Sequence, residues 1–400
     1  MKIVMICDFF SETLEYQENL LLKYYVKHGH DVTILASTFD SVFDYYAGRY
    51  DSKRPRREYE FAGGKVIRLP YKFFILKRLR AYADVLNILV KECPDLIYVH
   101  DIHLNLLQCV TYVCLMPKCK MIMDFHADLS NSGRNWVSRV ILHGVIRKWV
   151  LDKARPHLSR IFPVVPASLE FLRDTYKVPI EVMEILPLGA DVELGCQVTA
   201  SNARERLRQR YGLDGQDVVI FSGGKLEPLK RTESLVDAVL SLADLRLHLV
   251  IVGDASHVNH NYRNMLSERA AGASNIHFTG WLDNVGLFEH LDMSDFAVFP
   301  ASQSILWQQA ISMGLPLIVG DKGHTGESRQ DVSYLNFESN ILILDDQQPI
   351  VKELSRNIAL LACDRALRQR MSDGARRVSQ RTLDWNVLIE RTLRFGPSAT

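Results

Sequence analysis

The chain has 400 residues, with 48 Lys and Arg against 47 Asp and Glu for a net charge of +1, and it is 47% hydrophobic and 24% charged. That length exceeds what one hydrophobic core usually serves, so two soluble α/β domains are expected, and the balanced charge excludes a global pull toward nucleic acid. No apolar run reaches the roughly 18 residues of a membrane span, and MKIVMICDFF turns acidic at Asp8 without a cleavage site, so it reads as a first strand and not a signal peptide.

KIVMIC, a helix through residues 19–28 and DVTILAS form a β-α-β opening, which calls for a parallel sheet. The loop after the first strand has no GxGxxG, so tight pyrophosphate binding there is disfavoured. Tyr16, Gln17, Glu18 and Asn19 instead offer hydrogen-bonding side chains suited to a hydroxyl-rich ligand. The other reading is a helix start with solvated polar residues.

Residues 49–80 are the one charge anomaly. Arg49, Lys53, Arg54, Arg56, Arg57, Lys65, Arg68, Lys72, Lys77, Arg78 and Arg80 oppose only Asp51, Glu58 and Glu60, and eight aromatic residues are interleaved with them from Tyr45 to Phe74. Cations and aromatic rings together suit an anionic membrane surface. A solvated surface segment and a cradle for an anionic acceptor are the alternatives.

PDLIYVHDIHL reads as a buried strand ending at His100, Asp101 and His103, and KMIMDFHADLS as another whose end carries His126 and Asp128. Two successive strands thus bring imidazoles and carboxylates to one sheet edge. No fixed ligand spacing such as HExxH supports a metal, so none is expected. RIFPVVPASLEFL reads as strand and helix, EVMEILPLGADVELG as strand and turn, and residues 198–210 as a surface helix linking two domains. Seven cysteines without a CxxC pair fit a reducing cytoplasm and mostly buried thiols.

DVVIFSGGKLEPLK carries the strongest phosphate signal: a strand ends at Gly223 and Gly224, small enough to let backbone N–H groups approach an anion, with Lys225 and Lys230 in reach. It is not a Walker loop, since GxxxxGK[ST] does not fit. Gly253 and Gly280 follow two further strands, where a base and ribose could enter without a side chain in the way. FPASQSILWQQAISMGLPLIV then reads as strand, loop, helix over residues 305–313 and strand. This sets Ser302, Gln303 and Ser304 outside a strand's carboxyl end at a helix amino end, with Gln308 and Gln309 one turn further in. Three helical patterns close the chain.

SGGKLEPLK, IVGDAS, IHFTGWL and PASQSILWQQAISMGLPLIV, in that order, resemble glycosyltransferase family 4 of the GT-B fold, and GHDVTIL, PDLIYVHD, DFHAD and LPLGAD in the first half agree. The resemblance spans nearly the whole chain. It implies two Rossmann-like domains facing across a cleft: residues 1–190 binding the acceptor, residues 191–378 binding the nucleotide sugar, and a final helix over residues 379–400 packing back on the first. It further implies retaining transfer from a nucleotide-diphosphate sugar, UDP favoured over GDP, without a cofactor or metal. Lys225 and Lys230 match the family's diphosphate-binding basic pair, and His126 matches the histidine that contacts the donor sugar. Gly223, Gly224, Gly253, Gly280, Gln303, Ser304 and Gln309 complete the donor side, and Tyr16, Gln17, His100, Asp101 and Asp128 the acceptor side. The family's pair of glutamates seven residues apart is absent, with Gln309 standing where one holds the ribose. The acceptor implied is a saccharide or lipid-linked molecule, as in bacterial surface polysaccharide or lipopolysaccharide assembly, reached from the cytoplasmic face of the membrane. A nucleotide-sugar epimerase and an inactive sugar-binding scaffold on the same fold are the rival readings.

Overall fold

The computed structural model describes residues 1–12, 16–39, 55–75, 79–129, 132, 136–256, 259–301, 304–320 and 331–395. The chain divides into two units, Met1–Pro187 with Leu388–Thr400, and Leu188–Val387. Each is a mixed α/β unit built on a largely parallel sheet.

In the first unit β1 (Lys2–Ile6), β2 (Asp31–Ser37), β3 (Arg57–Phe61), β4 (Gly64–Leu69), β7 (Leu96–His100), β8 (Lys120–Phe125) and β9 (Arg160–Pro163) lie in the order β3-β4-β2-β1-β7-β8-β9. All pairs are parallel except β3 with β4. A small hairpin, β5 (Tyr71–Ile75) with β6 (Leu79–Tyr82), stands apart. KIVMI, LIYVH and KMIMDF are almost wholly buried because helices cover both faces of such a sheet, which explains their continuous apolar runs. The chain works outward from β1 to one edge and then returns to β7 and the other edge. The strand order therefore reverses between β1 and β7, the position outside whose carboxyl ends ligands bind in open α/β sheets.

The second unit repeats the plan. Here β10 (Val218–Gly223), β11 (Leu247–Val252), β12 (Ile276–Gly280), β13 (Phe296–Phe299), β14 (Leu317–Val319) and β15 (Ile341–Ile343) run β12-β11-β10-β13-β14-β15, all parallel. Its reversal lies between β10 and β13. Among the described residues, no helix is long and apolar enough to cross a membrane.

Several expectations need correcting. The basic stretch 49–80 is not simply surface: β4 is a buried strand beside β2, and Arg68 on it is only 1% exposed. A buried guanidinium must be paired, and Arg68 donates to Tyr59, to Glu12 at 3.2 Å and to the Ser37 and Phe39 carbonyls. Arg80 is likewise spent on Asp8, and Lys65 on Glu92 at 2.7 Å. Arg49, Lys53, Arg54, Lys77 and Arg78 lie outside the described residues. EVMEI is not a full strand: Glu184 and Leu186 donate to β9 carbonyls, and Pro187, lacking an N–H, ends the pairing. The connector is two helices, Val192–Ala200 and Ala203–Arg210, broken at Asn202, which takes the left-handed conformation that asparagine tolerates. Of the seven cysteines, all free, only Cys7, Cys109 and Cys119 are buried, and Cys93, Cys114, Cys196 and Cys363 are exposed.

Candidate functional site

In the first unit the register of β7 and β8 sets His100 opposite Asp124. Asp124 is fully buried, and an isolated carboxylate there would cost several kcal/mol. It is instead surrounded: the Tyr98 hydroxyl donates to it at 3.1 Å and the Asp101 N–H at 3.3 Å, and His100 Nδ1 and His126 Nε2 stand as ion-pair partners at 2.8 Å and 3.3 Å. Asp101 sits at φ 61°, in the left-handed region, which lets its carboxylate accept the His126 N–H at 3.2 Å.

The electrostatics follow from this packing. Burial disfavours the imidazolium of His126, but the Asp124 charge and hydrogen bond outweigh it, with Asp101 and Glu18 adding to the effect, and push the pKa up to about 9. His100 is raised for the same reason. Asp124 is penalised by burial, yet the two histidines hold it well below the usual carboxylate range. His126, about a third exposed, is therefore a cation at neutral pH that can donate to a ligand oxygen. The same three residues place ligand-type atoms within 4.8 Å of one another, so they could hold a metal ion. Asp124 Oδ2 already meets Tyr98 and both rings, which favours the ion-pair arrangement.

The other first-unit candidates divide. His100 is buried against Asp124, 2.8 Å away through Nδ1, and its Nε2 has no hydrogen-bond partner among the described residues. Tyr16 caps the Gln17–Lys27 helix and is exposed. Gln17 is buried with both amide atoms lacking a hydrogen-bond partner among the described residues, an arrangement a hydroxylated ligand would satisfy. Asp128 is buried in the loop beyond His126. Sequence reasoning missed Asp124; its signal was a single carboxylate inside the apolar run KMIMDF.

In the second unit the carboxyl ends of β10, β11 and β12 meet. Gly224 N–H donates to Val252 at 2.8 Å and Gly253 N–H to Gly280 at 2.8 Å. The Gly224 N–H is thus occupied, which corrects the expectation that it approaches an anion, and the Gly253 N–H likewise serves the backbone. Gly223 and Gly253 let backbone pack on backbone: a Cβ on Gly223 would fall 2.6 Å from the Val252 oxygen, and one on Gly253, at φ 117°, 2.1 Å from that of Gly224, while Gly224 itself needs glycine for its φ of 110°. Across the reversal point Gly224 approaches Ser304, whose hydroxyl would lie 3.8 Å from a Cβ there. Ser304 caps the Ile305–Ser312 helix by accepting from Leu306 N–H, and Trp307 N–H donates to the Ser304 carbonyl, so it is the positive end of that helix that lies beside Gly224. Gln303 lies outside the described residues.

Lys225 is half exposed and 3.3 Å from Glu227, and burial lowers the pKa of Lys230 against the opposing pull of Glu227. Gln309 keeps its Oε1 buried and without a hydrogen-bond partner among the described residues. Gln308 is buried, and its amide, oriented to suit its surroundings, donates to the Ser304 and Ile305 carbonyls at 3.0 Å, a structural role. From Asp254, next to Gly253, an open groove of about 510 Å³ continues past Ser256, His260 and Arg263. Arg263 stacks over Phe278 at 4.3 Å and was not foreseen.

Two family models fall one on each unit: a glycosyl transferase 4-like domain over residues 19–189 and glycosyl transferases group 1 over residues 216–359. The chain belongs to the GT-B glycosyltransferases of the group 1 and 4 type. Solved structures agree in fold. A Rickettsia africae glycosyltransferase superposes with a TM-score of 0.67 at 14% identity, covering 98% of this chain and 96% of its own. Anabaena HepE, in complex with UDP and glucose, gives 0.65 at 16% identity, with 98% and 99% covered. WaaG, a glycosyltransferase involved in lipopolysaccharide biosynthesis, gives 0.57 at 14% identity, with 98% of both chains covered. No curated protein sequence matches the chain significantly. This glycosyltransferase therefore has its resemblance to family 4 distributed over both units.

Proposed function

We propose that this glycosyltransferase moves a sugar, with retention of anomeric configuration, from a nucleotide-diphosphate donor to a saccharide or lipid-linked acceptor. UDP-sugars are the favoured donors, in line with the UDP complexes of HepE. The observation that carries the reading is the glycine turn at Gly223 and Gly224, packed against Gly253 and beside the amino end of the Ile305–Ser312 helix, with Lys225 and Lys230 on the same loop. Charge develops on the departing diphosphate, and fixed cations with a helix terminus stabilise it as it forms. This supports chemistry without a metal. Gln309 Oε1 accepts from a ribose hydroxyl in this reading, and the His126 cation donates to the transferring sugar.

Gln17 and Tyr16 serve the acceptor side. The likeness to WaaG supports a place in bacterial surface polysaccharide or lipopolysaccharide assembly, at the inner face of the cell membrane. Of the basic stretch, Lys72 is exposed toward an anionic surface. Titrating UDP, GDP and ADP-sugars into the purified protein and following transfer by NMR of the anomeric proton tests the reading. It predicts binding of a UDP-sugar and a product of unchanged anomeric configuration. An inverted product would refute retention, and absence of binding to every nucleotide sugar would leave the scaffold reading. The missing pair of glutamates is what keeps that second reading in view.

A further inference from the structure

In the first unit residues 136–154 form one continuous helix, of which Ser138–Arg147 has π geometry. One side is packed inward through Leu142, His143, Val150, Leu151 and Ala154. The other side leaves Trp136 70% exposed, Val145 60% and Trp149 52%, with Val137, Val140 and Ile141 also in solvent. These residues recur at 136/137, 140/141, 145 and 149, roughly once per turn of the wider π-helix, so they form one stripe along the helix and not scattered exposure.

The charges beside the stripe are of one sign. Residues 136–156 contain Arg139, Arg147, Lys148, Lys153 and Arg155 against Asp152 alone, five minus one or +4. Lys148 is held by Asp152 at 3.0 Å, whereas exposed Arg139 and Lys153 have no ion pair among the described residues. Tryptophans at both ends of an apolar stripe, with cations alongside, match the headgroup layer of an anionic bilayer, where the rings sit at the interface and the cations meet lipid phosphates. A second copy of this chain fits less well, since a two-fold contact would set the cationic stripe against itself.

We infer that the exposed face of the 136–154 helix is a membrane-contact surface that docks the protein on anionic lipid. It is distinct from the basic stretch at 49–80, several of whose cations are spent on internal pairs, and it does not depend on the transferase reading. A protein that bound no nucleotide sugar would still partition onto vesicles.

The test is co-sedimentation of the full chain with vesicles of phosphatidylcholine alone and of phosphatidylcholine with 30% phosphatidylglycerol. Wild type should bind the anionic vesicles at least tenfold better than the neutral ones. Trp136→Ala with Trp149→Ala, and separately Arg139→Glu with Lys153→Glu, should each lower that binding at least tenfold. Circular dichroism and thermal melting confirm folding, and UDP-sugar binding should be unchanged. Vesicle binding unaffected by either pair of substitutions would overturn the proposal, as would a concentration-dependent dimer that the tryptophan substitutions dissolve without any change in vesicle binding.

Discussion

Replacing Asp124 with Asn keeps the shape of the first-unit cluster and removes its central charge. The His126 pKa is about 9 because attraction to Asp124 overcomes burial. Without the carboxylate the burial remains, so His126 should titrate at or below its ordinary value of about 6.5. At 1.36 kcal/mol per pKa this corresponds to a net effect on the order of 3 kcal/mol at most, and less once water screening at the partly exposed ring is allowed for. A pKa raised in the folded state stabilises fully below the unfolded value near 6.5, and the contribution is lost as pH rises through about 9. Wild type should therefore lose stability between pH 6.5 and 9 in a way that D124N does not. NMR titration of the His126 ring proton reads the pKa directly, and urea melts across this range read the linkage. Transfer at pH 7.5 should fall on the order of a hundredfold, as for loss of one charge-stabilising donor. A His126 that still titrates near 9 in D124N would refute the reasoning.

Other outcomes are equally specific. Lys225→Ala and Lys230→Ala should each weaken UDP binding by about 10- to 100-fold in calorimetry, the worth of one desolvated charge-assisted contact. Gly253→Ala, with φ 117° and a Cβ 2.1 Å from the Gly224 oxygen, should lower unfolding free energy by at least about 2 kcal/mol in urea and abolish UDP binding. Dialysis against EDTA should leave transfer unchanged, and activity restored only by added divalent metal would instead assign the His100, Asp124 and His126 group to a metal.

Much of the fold was legible because parallel strands announce themselves as short apolar runs ending in small or polar residues. KIVMI, LIYVH and KMIMDF are buried runs without alternation, and a parallel order of successive strands places the ends that carry His100 and His126 at one sheet edge. What stayed hidden depended on tertiary pairing. GKVIRL looked like surface because Arg68 is charged, and only its contacts with Glu12, Tyr59 and two carbonyls explain its burial. Asp124 looked like a strand residue until the register set it against His100. The glycines were recognised, yet at Gly224 the chemistry differed from the simplest expectation, since its N–H serves the backbone. The apolar face of residues 136–154 has the 4.4-residue repeat of a π-helix, which a search at 3.6 residues per turn passes over.

The central claim is that the second unit holds the donor's diphosphate at the carboxyl ends of β10, β11 and β13. A crystal structure with UDP-sugar bound tests it most directly. The account predicts phosphate oxygens at the amino end of the Ile305–Ser312 helix with Lys225 and Lys230 in contact, and a ribose hydroxyl on Gln309. A diphosphate bound away from Gly223, Gly224 and Ser304, with these lysines untouched, would contradict it.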